Sequence, residues 1–340
     1  MPQSHRIFYF DALRALGCLL VVLTHVTSQF LIGPPARSYW VVTAALNNGT
    51  RAAVPLFIMI SGALFLDPDR PVAFARLLRK NVLRLVVMLV AWNLIYAVAE
   101  WVRSHDWSQV THTLLLGPFH LWFLYALIGC YLMVPLLRPI TANPRLMGWA
   151  LTLAAVFTVL PATAQPFLRP GSPVLALLTQ FHVPTLGSYV FYFVLGYALH
   201  RATLSRLQTW VLAAAGLVGT LGMIWLTQVA SVAAGHLDQA FQANLGLWIL
   251  LQATGWFSLA KAYWNRPLPR GVAFLAAVSL PVYLVHPLVL GLLQRVGLVR
   301  PGLHWLVLVY LLVLAGSLVF GAVYHWGQKQ LHRQGTPVKS

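Results

Sequence analysis

The stretch FYFDALRALGCLLVVLTHVTSQF, from Phe8 to Phe30, decides the fold class. It is long and apolar enough to cross a bilayer as one helix, yet it contains Asp11, Arg14 and His25. Residues three and eleven apart return to the same side of a helix, so these side chains share one face, with Arg14 and His25 about 16 Å apart along the axis. Each ionisable group costs about 2.5–3.5 kcal/mol in a bilayer. The stretch therefore predicts a membrane helix whose polar stripe faces the interior of a helix bundle.

Composition extends this prediction to the whole chain. Of the 340 residues, 59% are hydrophobic and only 9% are charged, which is typical of a multi-pass membrane protein. Ten apolar spans predict an all-α bundle of about ten transmembrane helices, formed by a single domain over residues 1–340. The spans are 8–30, 47–66, 82–102, 120–139, 146–162, 183–200, 208–230, 241–263, 272–294 and 303–326.

The basic residues predict the orientation of the bundle. A formal net charge of +17 would suggest nucleic-acid binding in a soluble protein, but no basic, aromatic-interleaved soluble segment is present to bind it. When the N-terminus and every second loop are assigned to the cytoplasm, that side holds 16 of the 23 basic residues. The positive-inside rule then places both termini in the cytoplasm. We therefore expect the protein to be surrounded by membrane lipids and to bind no nucleic acid.

Two further spans carry polar side chains near the depth predicted for His25. Arg51 lies about one turn inside the outer end of the second span, where it either snorkels to the interface or joins the polar stripe. In the ninth span Ser279, Tyr283 and His286 are spaced four and three residues apart, so they share a helix face. His286 lies about 21 Å along its span. It is either part of a site with His25 or a hydrogen-bonded core histidine.

The stretch FARLLRKNVLRL, after the second span, contains basic residues within about two and a half helical turns. They are Arg76, Arg79, Lys80 and Arg84. Such a run is either a positive-inside flank that contacts anionic lipids or a site for a phosphorylated cytoplasmic cosubstrate, because guanidinium groups grip phosphate bidentately. The sequence suggests no metal site.

These segments together resemble the acyltransferase-3 family of integral membrane acyltransferases. The matching pieces, in the family's order, are FYFDALRALGCLLVVLTH, VPLFIMISGALFL, the basic run, HLWFLYALIGCYLMVPLL and SLPVYLVHPLVL. The length and the region from Arg51 to Ser61 look most like the bacterial group that contains the enterobacterial common antigen O-acetyltransferase. Ala15 and Ala63 depart from the glycine and the aromatic residue that are common in the family at those positions.

The resemblance implies ten membrane helices in one domain, placed in the bacterial cytoplasmic (inner) membrane. It implies acyl-CoA, usually acetyl-CoA, as donor and no metal. The implied acceptor is a hydroxyl of a surface glycan or glycolipid, the latter as the lipid-linked precursor. The family's first-span arginine and histidine match Arg14 and His25, which are essential in the family's pattern, and the histidine is taken as the base.

We therefore expect acyl-CoA to dock its nucleotide on the basic run and to extend its pantetheine arm along the polar stripe. Asp11 would hold Arg14, and His25 would remove the proton of the acceptor hydroxyl as that oxygen attacks the thioester. Only an extended donor would need both the cytoplasmic basic run and a histidine near the outer face.

The remaining predicted site residues lie around the reacting carbonyl. Arg51, Tyr283 or His286 is the expected donor to a tetrahedral oxyanion, and Ser279, on the same helix face as Tyr283 and His286, is the last predicted catalytic residue. The alternative is a transporter or flippase for a lipid-linked sugar or small anionic substrate, which would also bury charge on a polar seam. The sequence shows no inverted repeat or paired broken helices to favour it. A membrane scaffold would not need His25.

Overall fold

A computed structural model describes residues 6–35, 38–69, 73–169, 171–180 and 188–334. Within these residues the structure has fifteen α-helices and no strand, which confirms the predicted all-α class. The helices are α1 (Phe8–Phe30), α2 (Ser38–Gly49), α3 (Ala53–Phe65), α4 (Phe74–Arg76), α5 (Leu83–Ser104), α6 (Trp107–Leu116), α7 (Trp122–Ala142), α8 (Pro144–Ala154), α9 (Leu160–Ala164), α10 (Pro173–Gln180), α11 (Val190–Arg201), α12 (Arg206–Ala234), α13 (Leu247–Tyr263), α14 (Arg270–Arg295) and α15 (Leu303–Gln334). Short π-helical turns at Leu77–Val82 and Ala155–Val159 join neighbouring helices.

Eight helical segments in the described ranges are long and apolar enough to cross a membrane. They are Phe8–Phe30, Ser38–Phe65, Phe74–Ser104, Trp107–Ala142, Pro144–Phe167, Arg206–Ala234, Arg270–Arg295 and Leu303–Leu331. The chain is thus a multi-pass membrane protein. The sixth and eighth predicted spans correspond to the shorter α11 and α13, of 12 and 17 residues, and residues 183–187 of the sixth lie outside the described residues. The count of ten and the cytoplasmic termini stay predictions.

The second predicted span, 47–66, is not one continuous helix. Helix α2 ends at Gly49 and α3 begins at Ala53, with a turn over residues 50–52. Asparagine, glycine and threonine favour turns and caps over helix interiors, and the sequence NNGT supplies them in succession. The interruption leaves Arg51 between two helix ends rather than on a helix face.

The contacts divide the chain into two compact units, and each is described by itself over the described residues. Unit 1 comprises Met1–Phe57, Thr158–Phe181 and Thr203–Ser340. Unit 2 comprises Ile58–Phe157 and His182–Ala202. The prediction of a single domain stays a prediction.

Unit 1 is built around α1, which packs against α14 along its length and also contacts α2, α13 and α15. Helices α12 and α13 pack closely because glycines face each other. A Cβ on Gly216 would lie 3.1 Å from the Cα of Gly255. Small residues allow this close approach between membrane helices, where van der Waals packing drives association.

Unit 2 holds the end of α3 against α11 through two glycines. A Cβ on Gly62 would lie 1.7 Å from the carbonyl oxygen of Phe193, and one on Gly196 would lie 2.1 Å from that of Met59. Both positions therefore exclude any side chain. The backbones of α3 and α11 are therefore in direct contact. The sequence of either apolar span alone does not predict this contact.

Carbonyl groups at the C-terminal end of α3 accept hydrogen bonds from side chains of α7. Arg138 donates from Nη1 to the carbonyl of Phe65 at 3.0 Å and from Nη2 to that of Pro68 at 3.2 Å. Thr141 Oγ1 donates to the carbonyl of Leu66 at 3.0 Å. The last carbonyls of a helix have no partner within it and favour a cation. Arg138 thus holds two segments of unit 2 together.

Candidate active site

His25 of α1 and His286 of α14 meet inside unit 1. Their ring centroids lie 5.0 Å apart, with the planes tilted by 34°. His286 is fully buried, and His25 is partly exposed. The structure thus brings together the two histidines whose depths in their spans were similar. Among the described residues, no three side chains of His, Cys, Asp or Glu cluster closely enough to hold a metal ion.

The tautomer of His286 follows from its contacts with two backbone carbonyls. Its Nδ1 lies 2.8 Å from the carbonyl oxygen of Tyr283 and 3.3 Å from that of Val282. A carbonyl oxygen only accepts, so Nδ1 carries the proton and Nε2 of the neutral ring keeps its lone pair. The expected role of His286 as an oxyanion donor stays a prediction, since it requires a proton on Nε2 as well as on Nδ1.

Arg51 occupies the turn between α2 and α3 and is directed into unit 1. Its Nη2 donates to Oδ1 of Asn47 and to Oε1 of Gln242, and its positive charge acts on His25. Gln242 is buried, so the guanidinium is directed into the protein interior. Both hydrogen-bond partners are neutral amides, which position the charge without neutralising it.

Buried amides that the sequence analysis passed over fix this turn. Asn47 Nδ2 donates to Oγ1 of Thr27 at 2.9 Å and to Oγ of Ser28 at 3.1 Å. Thr50 and Thr24 share a hydrogen bond of 2.7 Å between their hydroxyl groups. These contacts bind the end of α2 to the segment of α1 that carries His25.

Gln252 of α13 secures the same turn from another side. Its Oε1 accepts from the backbone N–H of Ala52 at 2.7 Å, and its Nε2 donates to the carbonyl of Asn48 at 3.1 Å and to Oγ1 of Thr220 at 3.0 Å. An amide buried without partners costs about 1–3 kcal/mol. Glutamine inside an apolar span was thus a signal in the sequence, but partners some 200 residues away could not be read from it.

Asp11 and Arg14 form the predicted ion pair on α1. Arg14 Nη1 lies 2.9 Å from Asp11 Oδ1, and Arg6 Nε lies 2.7 Å from Asp11 Oδ2. Helix α1 is uninterrupted from Phe8 to Phe30, so the expected placement of Arg14 and His25 on one face, about 16 Å apart, is retained. Arg6 is a second partner of Asp11, which the spacing of residues along the first span did not predict.

We expect Asp11→Asn to lower both the yield of folded protein and the activity. The neutral amide would leave the partly buried Arg14 without its carboxylate, and removal of one partner of such a pair is strongly destabilising. The measurement is folded yield in detergent by size exclusion, together with turnover. Arg6→Gln is the matched control, since Arg6 is exposed and exposed pairs contribute about 0–1 kcal/mol. Full yield and turnover for Asp11→Asn would show that another group neutralises Arg14.

The structure places Tyr283 of α14 near His286 and Ser279 further away along the same helix. Tyr283 is buried, and its ring centroid lies 6.0 Å from that of His286. Ser279 Oγ donates to the carbonyl of Ala276 at 3.0 Å. Its position seven residues before His286 places it about 10 Å away along the axis. Ser279 therefore shares the helix face but does not join the histidines, because a shared face does not imply a shared depth.

The basic run lies in unit 2, where all four side chains are exposed. Arg79 and Lys80 lie in the π-helical turn Leu77–Val82, Arg76 precedes it and Arg84 follows it. A π-helical turn is rare and is frequently found at functional sites. The exposure fits both a lipid-contacting flank and a phosphate site, so both interpretations stand.

Comparison with known proteins adds one finding. The family model of the acyltransferase domain of acyltransferase-3 type matches residues 7–322. This range includes α1, the turn with Arg51, the basic run and α14. No curated protein and no solved structure gives a significant match.

Proposed function

Because the chain belongs to the acyltransferase-3 family and is thereby a membrane acyltransferase, we propose that it transfers an acyl group from acyl-CoA to a hydroxyl of a cell-surface glycan or its lipid-linked precursor. Acetyl is the shortest acyl group we propose, as in the group that contains the enterobacterial common antigen O-acetyltransferase, and the bacterial inner membrane is the proposed location. The observation that carries the proposal is the pair His25–His286 with Arg51 beside it, a base and a cation together inside a membrane bundle.

His25 is the proposed general base. It takes the proton of the acceptor hydroxyl, whose oxygen forms a bond to the thioester carbonyl carbon. When the tetrahedral intermediate collapses, the carbon–sulfur bond breaks and the CoA thiolate leaves, taking up the proton that His25 received. Imidazole suits both steps because its charge changes near neutral pH.

Arg51 is the proposed main donor to the oxyanion, with the Tyr283 hydroxyl as a second donor. Donors that are fixed before the reaction stabilise developing charge without reorganisation, and loss of one typically costs about 10²–10³-fold in rate. The hydrogen bonds from Arg51 to Asn47 and Gln242 support this role, because they hold the guanidinium in place. His286 supports the site as a neighbour of His25.

Arg14 is proposed to position the donor, and the basic run of unit 2 to bind the 3′-phospho-ADP part of acyl-CoA. We expect Arg79→Gln with Lys80→Gln to raise the concentration of acyl-CoA needed for half-maximal rate and to leave acceptor affinity nearly unchanged. The physical reason is the loss of charge-assisted hydrogen bonds to phosphate. The measurement is initial rate against acetyl-CoA concentration.

The matched control is Arg145→Gln with Arg206→Gln, which removes two exposed basic residues at the starts of α8 and α12. It is expected to leave the acyl-CoA dependence as in the wild type. If the Arg79 and Lys80 variant instead keeps its acyl-CoA dependence but inserts poorly into membranes, the run serves only orientation.

The proposed function is tested by release of free CoA from acetyl-CoA by purified protein, with and without a membrane glycan fraction as acceptor. We expect release that depends on the glycan and labelled acetyl groups in the glycan. A transporter or flippase would move its substrate without releasing CoA. Helix α2–α3 is interrupted as transporter helices can be, but this interruption is fixed by the Arg51 network, so we favour transfer.

A further inference from the structure

Unit 1 contains a cavity of about 600 Å³ that has no role in the reaction steps proposed for His25 and Arg51. It lies between α12 and α13 and reaches the end of α2 at Gly49. The volume is about four times that of an apolar cavity that holds a benzene ring, about 150 Å³. Trp210 and Leu217, which line it, are largely exposed on the outer surface of α12. The cavity is therefore open to the hydrocarbon of the bilayer.

The two ends of the cavity differ in chemistry. One end is lined by Thr220 and Gln252, which hydrogen-bond to each other, and by Gly49, where a Cβ would meet open space. The other end is lined by Trp210 and Leu259 and is apolar. A cavity that merely accommodates bilayer lipid needs no polar end.

The polar end abuts the turn that carries Arg51. Gln252 accepts from the backbone N–H of Ala52, the residue after Arg51, and Thr50 is hydrogen-bonded to Thr24, the residue before His25. The cavity therefore starts at the turn that carries Arg51 and leads away from this turn into the bilayer.

The position of the cavity indicates whether it binds the acyl chain of the donor or the lipid tail of the acceptor. In an acyl donor the chain starts at the reacting carbonyl carbon itself, so a cavity that starts at the turn carrying Arg51, the proposed donor to that carbonyl's oxyanion, fits it. In a lipid-linked glycan the tail is separated from the reacting hydroxyl by sugars and phosphate, so its tail would start elsewhere. Resting on the proposed function, we propose that this cavity binds the acyl chain of the donor and admits chains well beyond acetyl.

The reach of the cavity sets the expected chain length. Thr220 and Trp210 are ten residues apart on α12, or about 15 Å along the axis, which is the length of about a dozen extended methylene groups. We therefore expect affinity to rise from acetyl-CoA to dodecanoyl-CoA and then to level off. Each buried methylene can contribute up to about fourfold, so a total gain of at least about tenfold is expected after partial exposure.

The experiment measures binding of CoA, acetyl-CoA, octanoyl-CoA and dodecanoyl-CoA to the full chain in nanodiscs. Ala214 lines the cavity and is exposed, so Ala214→Phe fills the cavity without entering the helix contact. Val218→Phe is the matched control, since Val218 is exposed on the same helix and does not line the cavity. We expect Ala214→Phe to reduce the gain from chain length to about twofold with acetyl-CoA binding unchanged, and Val218→Phe to behave as the wild type.

Equal gains in all three proteins would overturn the inference, because the chain would then lie in the bilayer. A wild type that binds no CoA ester at all would instead count against the proposed function. A second measurement uses the wild type alone: dodecanoyl-CoA with a terminal diazirine should label Trp210, Trp256 or Leu259. Labelling confined to other helices would also overturn the inference.

Discussion

His25→Ala is expected to express, insert and bind acetyl-CoA as the wild type does, while acyl transfer falls by about 10²–10⁴-fold. The imidazole is the proposed base, and the neighbouring His286 is held by two backbone carbonyls of its own helix. The measurement is the initial rate of acetyl transfer at saturating acetyl-CoA, with CoA-ester binding determined on the same sample.

The matched control is His112→Ala, which removes an exposed histidine of α6. Its rate should equal that of the wild type. A His25→Ala protein that has lost acetyl-CoA binding along with transfer would point to a structural or donor-binding role for His25 instead of a base.

Gly62→Ala is expected to prevent most of the chain from folding, with a cost of about 3 kcal/mol or more, at the upper end of overpacking substitutions. The added methyl group would lie 1.7 Å from the carbonyl oxygen of Phe193, and a backbone atom cannot move aside as a flexible side chain can. Gly196→Ala should behave alike, since its methyl group would meet the carbonyl of Met59 at 2.1 Å. The measurement is monodisperse yield and thermal midpoint in detergent.

Gly129→Ala in α7 is the control, because no neighbouring atom lies within 4 Å of its Cβ position. Alanine in a helix interior is favoured over glycine by about 0.5–1 kcal/mol, so this variant should be as stable as the wild type or slightly more so. If Gly62→Ala matched Gly129→Ala in yield and midpoint, the close contact of α3 with α11 would be wrong.

The sequence predicted the helical class and the similar depths of His25 and His286 in their spans, because both follow from hydropathy and helix geometry along single spans, but it left open whether the two histidines meet. The ion pair of Asp11 with Arg14 was predictable for the same reason, since its partners are one turn apart. Ser279 shares a face with His286 but lies about 10 Å from it along α14, so its place in the site stays a prediction.

Contacts between distant segments could not be predicted in this way. Arg51 is bound by Gln242, some 190 residues later, and no periodicity links the two. The break before Ala53 was missed because the apolar run AAVPLFIMISG already begins at Ala52, within the turn, and its hydropathy obscured the turn signal NNGT. Periodicity describes one helix at a time, whereas the amide network depends on how helices pack.

The central claim is tested most directly by the turnover of His25→Ala and His286→Ala, compared at saturating acetyl-CoA and membrane glycan acceptor. We predict a loss of about 10²–10⁴-fold for His25→Ala and a loss below about tenfold for His286→Ala, where water can replace part of the lost hydrogen bonding. If His25→Ala keeps most of its turnover while His286→Ala abolishes it, α14 carries the base and the assignment to α1 is contradicted.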